Sequence, residues 1–501
     1  MKRGKKATIN TAMGLLEEFV SIICGLILPR LILSAFGSKY NGLTTSITQF
    51  LSCAILLRSG IGGATRAALY KPIANHDKVE FDSIIRATDL YLKKIGFVLL
   101  GLIICFATIY PFFVSDEFEY FFTFSLFVII GLSSFAQTFF GITYLIVLQA
   151  DQKIWVSTLS RSVCLILNVI IAAFLIRLHC SIHMVKLGSA AVFVAYPVVL
   201  SVYVKKHYQI NAHAKPNNAA IAQRWDALWQ QVSDFVSNNT GVMILTVFSN
   251  MLEVSVYSIY NIIINGIKKT VQSFSNGLEA AFGNMIAKNE ERALRQNFGV
   301  IETLVYDMST IVCVSATILI LDFVKLYTHN VTDVDYIRPT FACTIILAQY
   351  FNGVRIPYQL VVQAAGHYKQ TKKAAILEPI INITVSVLLV IKFGLVGVAI
   401  GTFVATLFRT IQYSYYMSHV LIKRNALIVA HRVLLSFAEA GLIIVVFNAL
   451  PLPPAQDFTI WVVRACVCVV ISVVIVSSGS FLFFRNDVKN LIVKVRNVVG
   501  F

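Results

Sequence analysis

Eight basic residues stand within, or at the ends of, runs apolar enough to lie in lipid: Arg30, Arg58, Arg66, Lys268, Lys269, Arg355, Arg409 and Arg464. An arginine at the centre of a lone membrane helix costs about 2.5–3.5 kcal/mol even on the lenient insertion scale, so these charges need partners or water. Arg58, Gly62 and Arg66 recur at i, i+4 and i+8, which sets two guanidinium groups on one helix face with a small residue between them. That face suits an anionic cargo in a charged, wet interior. A guanidinium offers a bidentate fork to phosphate or carboxylate oxygens, whereas a lysine offers a point charge.

Each of these residues also has a plainer use. Arg58 either meets the cargo or pairs with a buried carboxylate such as Glu17, Glu18 or Asp234. Lys268 and Lys269 follow Gly266 and either line the same interior or face water at a kink. Arg355 precedes Ile356-Pro357 and either joins the cargo site or bonds carbonyls that the proline frees. Arg30 and Arg464 lie near the outer ends of their runs, and Arg66 and Arg409 toward the inner ends, where snorkelling to the headgroups accounts for them. The carboxylates Glu17, Glu18, Asp234, Glu302, Asp307, Glu378 and Glu439 form a second constellation. They either bind sodium ions or protons that drive a conformational cycle or act as counter-ions, and Glu17, Glu18, Asp234 and Glu378 are the candidates carried forward. Glu17 and Glu18 point about 100° apart on a helix, so at most one faces a narrow lumen. Tyr257, Tyr260, Tyr350, Tyr358, Tyr413, Tyr415 and Tyr416 serve either as sugar-stacking faces or as ordinary packing.

The elements that hold these residues are membrane helices. The chain has 501 residues, 57% of them hydrophobic and 13% charged, more apolar material than a soluble core can bury. Runs long enough to span fall near 9–34, 41–68, 90–114, 119–147, 155–177, 182–203, 228–252, 255–286, 298–325, 338–364, 371–392, 394–417, 431–450 and 459–484. The expected fold class is therefore all-α, a polytopic membrane protein of about fourteen transmembrane helices. An even count puts both termini on one side. Loops and termini assigned to the inner side hold roughly 28 basic residues, against roughly six outside, among them Lys39, Arg177 and Lys186. The net charge of +17 then reflects topology and not nucleic-acid binding. Nine cysteines, without a CxxC pair or a neighbouring histidine cluster, argue against a zinc site or a disulfide framework. The basic start MKRGKKATIN leads into a long segment that carries Glu17 and Glu18, which reads as an uncleaved first span.

The longest polar connection, KKHYQINAHAKPNNAAIAQRWD, divides the helices into six and eight. The expected organisation is an N-terminal six-helix lobe over 1–203, a cytoplasmic linker over 204–227 and a C-terminal six-helix lobe over 228–417. Two additional helices occupy 418–485, and a basic amphipathic tail over 486–501 lies at the lipid surface. The lobes echo each other. At one constant offset Gln149 matches Gln363, Ala150 matches Ala364 and Asn168 matches Asn382. A repeat of six helices keeps its orientation, which relates the halves by an axis along the membrane normal with a cleft between them.

The stretch FGSKYNGLTTSITQFLSCAILLRSGIGGATRAALYKPIANHD, the glutamine-alanine loops near 149–153 and 363–369, and the helix count resemble the polysaccharide-export flippases of the Wzx type. That family sits in a superfamily with multidrug and toxin extruders and the lipid II flippase. The resemblance implies two six-helix lobes in a V shape, a polar lumen, and alternating access. Its cargo would be an undecaprenyl-diphosphate-linked oligosaccharide, moved from the inner to the outer leaflet of the bacterial cytoplasmic membrane. It also implies that Arg30, Arg58 and, with lysine in place of arginine, Lys268 or Lys269 meet the diphosphate. Contacts with polysaccharide polymerase machinery follow as an expectation, as does coupling to Na+ or H+ with no other cofactor.

No catalytic machinery is legible. The chain carries no Walker-type phosphate loop, so ATP is not the direct driver. VTDVDY contains an Asp-x-Asp but sits in a short outer loop, where it reads as solvated acid. A glycan polymerase or ligase would need an extended outer loop, and those here stay under roughly fifteen residues. A multidrug antiporter of the same superfamily is the competing transporter, but it favours cationic drugs and an acidic lumen.

Overall fold

The structure, a computed structural model, describes residues 3–52, 61–211, 214–217, 228–273, 278–288 and 290–499. Among the described residues there is no strand. In lipid the backbone must bond itself within each segment, and a helix does so completely. The first part of the chain forms α1 (Arg3–Phe36), α2 (Ser38–Leu51), α3 (Ile61–Asn75), α4 (Lys78–Phe113), α5 (Tyr120–Phe140), α6 (Ile142–Ala150), α7 (Ile154–Arg177), α8 (Ile182–Tyr208) and α9 (Leu228–Phe248). Then come α10 (Met251–Ser273), α11 (Leu278–Ala287), α12 (Glu291–Tyr327), α13 (Pro339–Val354), α14 (Ile356–Ala364), α15 (Tyr368–Phe393) and α16 (Leu395–Tyr416). A short π-helical turn (Met417–Leu421) precedes α17 (Leu427–Ala449), α18 (Phe458–Phe483) and α19 (Arg485–Val499).

Ten of the described helices are long and apolar enough to cross a membrane. Their outward faces carry apolar side chains at high exposure, for example Leu15 at 69%, Val470 at 62% and Leu482 at 74%, a surface that only lipid makes favourable. The protein is thus a multi-pass membrane protein. Four of the fourteen expected segments, near 41–68, 228–252, 255–286 and 338–364, are not among the ten, and those near 41–68 and 255–286 run partly through residues outside the described ones. These four carry Arg58, Asp234, Lys268 with Lys269, and Arg355.

The chain divides into two compact units, Met1–Ser255 and Val256–Phe501. The division expected at 204–227 falls later because α9 packs on α2. Ser46 and Thr246 share a hydrogen bond of 2.6 Å, and Asn41 donates to Ser255 at 2.9 Å. Gly42 is required there, since a Cβ would sit 1.9 Å from the Met251 carbonyl oxygen. Elsewhere in this unit α1 packs on α7, α4 on α5, and α8 on both α5 and α7.

In the second unit α15 and α16 make the closest pair, joined at Gly394 with φ +52°. Gly397 and Gly401 of α16 let the backbones meet, since a Cβ at either would lie within 2.4 Å of α15 atoms. α16 also packs on α13, and α12 contacts α13, α17, α18 and α19. The matched loops of the sequence echo take one conformation. In the first unit Gln152 (φ +56°) follows α6, with Lys153 N–H donating to Leu148 O at 2.8 Å. In the second, Gly366 (φ +70°) follows α14, with His367 N–H donating to Val362 O at 3.1 Å.

Candidate substrate-binding cation cluster

Pro357 ends α13 and restarts the chain as α14, because it has no N–H to donate and its ring blocks the carbonyl four residues earlier. Arg355 sits on the break. Its Nη1 donates to Glu378 Oε1 at 2.6 Å, a carboxylate partner instead of a proline-freed carbonyl. Glu378 is buried on α15 and takes a second guanidinium, with Arg409 Nε at 3.5 Å from Oε2. Arg409, on α16, is 4% exposed and further donates to Gln412 Oε1 at 2.8 Å, Tyr413 OH at 2.7 Å and Thr371 O at 3.3 Å. The Tyr413 ring lies 4.0 Å from its guanidinium carbon. Thr410 donates to Phe351 O at 2.9 Å and so ties α16 to α13 beside Arg355.

Lys268 of α10 faces this junction across a narrow gap lined by Gln272, Gln349, Asn352 and Gly353. It lies near enough to Arg355 for the two charges to act on each other. Gly353 is forced by close packing, since a Cβ would meet Ser309 Oγ at 2.6 Å. The arrangement gathers Arg355 and Arg409 on the carboxylate Glu378, with Lys268 close to Arg355 in a layer rich in amides. Guanidinium and ammonium groups set among amides have the donor chemistry that an anion with several acceptor oxygens requires.

Of the sequence candidates, Lys268, Arg355 and Glu378 are thus brought together, and Lys269 is an exposed neighbour on α10. Arg30 is an exposed side chain of α1 in the first unit. Glu17 pairs with Arg161 at 3.4 Å, and Glu18 is exposed on the same helix. Arg58 and the side chain of Asp234 lie outside the described residues. Arg409 corrects the sequence reading: it is buried and bonded, so headgroup snorkelling does not account for it. The signal was present in RTIQY, where Gln412 and Tyr413 follow Arg409 at i+3 and i+4 and solvate it from its own helix. Arg66 donates to Gln149 at 3.1 Å, and Arg464 pairs with Asp322 at 3.4 Å. Tyr257, Tyr260, Tyr350, Tyr358 and Tyr413 are buried in the second unit as packing residues.

Solved transporters have the same chain trace. The lipid II flippase MurJ in an inward closed conformation matches with a TM-score of 0.71 at 15% identity, over 94% of this chain and 98% of that one. A multidrug resistance MATE family transporter of the MOP superfamily, inward-facing, matches with a TM-score of 0.62 at 12% identity, over 82% of this chain and 98% of that one. The fold is that of the MOP transporters. A mutant of the MATE transporter VcmN from Vibrio cholerae matches with a TM-score of 0.56 at 14% identity, over 85% and 99% of the two chains. No protein-family model and no curated protein matches the sequence. On this MOP transporter fold the cation cluster lies in the second unit, at the broken segment α13–α14 and its neighbours.

Proposed function

We propose that the protein is a flippase that moves an undecaprenyl-diphosphate-linked oligosaccharide repeat unit from the inner to the outer leaflet of the bacterial cytoplasmic membrane by alternating access. The product would be a surface polysaccharide: capsule, exopolysaccharide or O-antigen. One observation carries the reading, the gathering of Arg355 and Arg409 on Glu378 with Lys268 close to Arg355 inside the second unit. A diphosphate brings roughly two negative charges and a set of acceptor oxygens that match a guanidinium fork. Arg355 and Lys268 take the phosphates in this reading, and Arg409 holds Glu378 in place. The glycan rides in water and the prenyl chain stays in lipid. Cargo binding must favour the inward-open form and release the outward-open form, since a ligand shifts conformations only through differential affinity. Glu378 acts as the counter-ion, and coupling to Na+ or H+ falls to other carboxylates. Both termini lie in the cytoplasm, and the released repeat units pass to the polymerase machinery.

Lipid II is the second cargo to consider, because the match to the lipid II flippase MurJ extends over 94% of the chain. A cationic drug is disfavoured by the same cluster that favours phosphate. The test is the double substitution Lys268→Ala with Arg355→Ala in the native host. Surface polysaccharide is expected to fall to background with membrane levels of the protein unchanged. Unaltered export overturns the proposal, and rescue of a cell depleted of its lipid II flippase moves it to the second cargo.

A further inference from the structure

The first unit encloses a cavity of about 520 Å³ between α1, α2, α5, α7 and α8. For a space inside an apolar helix bundle its wall is polar: Ser134, Gln137, Arg161, Asn168, Lys186 and Ser189 all face it. Three of these carry the argument. Arg161 has a counter-ion, Glu17, at 3.4 Å. Lys186 has no carboxylate partner among the described residues. It also stands one turn into α8, at the helix end whose dipole disfavours a cation. The sequence had placed Lys186 in an outer loop, but α8 starts at Ile182 and draws it into the wall. Gly188 fixes it there. A Cβ at that position would meet Ile171 and Leu175 of α7 at 2.9 Å, so α8 is seated against α7 in one register. The third residue, Asn168 of α7, is 4% exposed, and its buried Oδ1 has no hydrogen-bond donor.

The cavity therefore leaves over an ammonium that seeks an acceptor and a carbonyl oxygen that seeks a donor. A buried carbonyl oxygen without a donor is costly, and the Lys186 side chain is half-buried in the same wall. A simple anion would satisfy Lys186 and ignore Asn168, and a neutral sugar would do the reverse. A molecule with both an anionic oxygen and an O–H answers both.

We propose that this cavity binds a hydroxyl-bearing oxyanion, of which hydrogen phosphate and a sugar acid are the two sources. Lys186, with Arg161 behind it, holds the charge, and Asn168 accepts from the O–H. The site is separate from the cation cluster at Arg355 and does not depend on which lipid-linked cargo is carried.

The test uses the full-length protein in detergent micelles, with the thermal unfolding midpoint read at matched ionic strength in sodium chloride, sulfate, phosphate and glucuronate. Phosphate or glucuronate is expected to raise the midpoint by a few degrees over chloride, and sulfate, which has no O–H at neutral pH, by less. Lys186→Met should abolish the rise without lowering the midpoint in chloride, since it removes a charge that has no partner. Arg464→Met, in the second unit, should keep it. Asn168→Leu should erase the preference for phosphate over sulfate, and it supplies the same readout if Lys186→Met does not fold. A rise with phosphate assigns the site to the free ion, and one with glucuronate alone assigns it to an acidic glycan residue. No rise with either, or an equal rise in Lys186→Met, overturns the proposal.

Discussion

Glu302 and Glu378 are both buried carboxylates of the second unit, each holding two arginines, yet their surroundings differ in charge balance. Glu302, fully buried on α12, takes Arg424 as a bidentate pair, with Nη1 at 2.6 Å from Oε2, and Arg432 Nε at 3.2 Å. Tyr358 OH donates to it at 2.6 Å and shares a second hydrogen bond with Tyr306 OH at 2.9 Å. Arg432 continues to Asp487 of α19 at 2.8 Å and to Thr303 at 2.9 Å, and its guanidinium lies 3.8 Å from the Phe484 ring. Two arginines thus meet two carboxylates. Burial works against the charge of Arg424, in the loop before α17, but the hydrogen bond and charge of Glu302 outweigh it and raise the guanidinium above its ordinary range. At Glu378, by contrast, Arg355 and Arg409 share one carboxylate, and Lys268 lies close to Arg355. A balanced network clasps helices, here α12, α14, α17 and α19. The Glu378 cluster is the one that meets the cargo in the proposal above.

The comparison is most sharply tested by removing each carboxylate in turn. Glu302→Gln leaves Arg424 and Arg432 without their shared charge partner deep in the unit, and breaking a buried pair in this way costs about 3–5 kcal/mol. We expect loss of monodisperse protein on size-exclusion chromatography. Glu378→Gln should cost less, about 1–3 kcal/mol. Arg355 keeps 16% of its side-chain surface exposed, and Arg409 retains Gln412, Tyr413 and Thr371. That variant should fold with a lowered unfolding midpoint and fail in export. If Glu378→Gln proves the more destabilising of the two, the clasp and the receptor have been assigned the wrong way round.

How much of this could be read in advance follows from what determines it. Helix positions were legible because lipid imposes one solution on a long apolar run: the segment expected at 155–177 is α7 at Ile154–Arg177, and that at 459–484 is α18 at Phe458–Phe483. The turn echo was legible too, since Gln149 and Gln363 precede turns of the same form. Partner choice was not. Glu378 and Arg355 are 23 residues apart and on different helices, and only the packing of α15 on α16, set by Gly397 and Gly401, brings Arg409 to the same carboxylate. Counting charges by loop also misplaced a residue near a helix end. Lys186, read from the sequence as an outer-loop residue, lies one turn inside α8. A difference of one turn separates a solvated cation from a half-buried one, and hydropathy does not resolve one turn.

Arg464 supplies the other end of the scale. It too stands in an apolar helix, on α18, and it too has a carboxylate, Asp322 of α12, at 3.4 Å. Its Nη1 also donates to Pro453 O at 2.8 Å. The partner is 35% exposed, however, and among the described residues no second charged group and no hydroxyl closes around the pair. Exposed or half-exposed pairs contribute about 0.2–1 kcal/mol. Arg464→Met keeps the apolar stem against Phe447, which lies 5.4 Å from the guanidinium carbon, and loses only that small increment. The unfolding midpoint and polysaccharide export should both stay at the wild-type value. A drop approaching that of Glu302→Gln would mean that exposure of the carboxylate does not set the worth of these intramembrane pairs, and the distinction between clasp and receptor would need another physical basis.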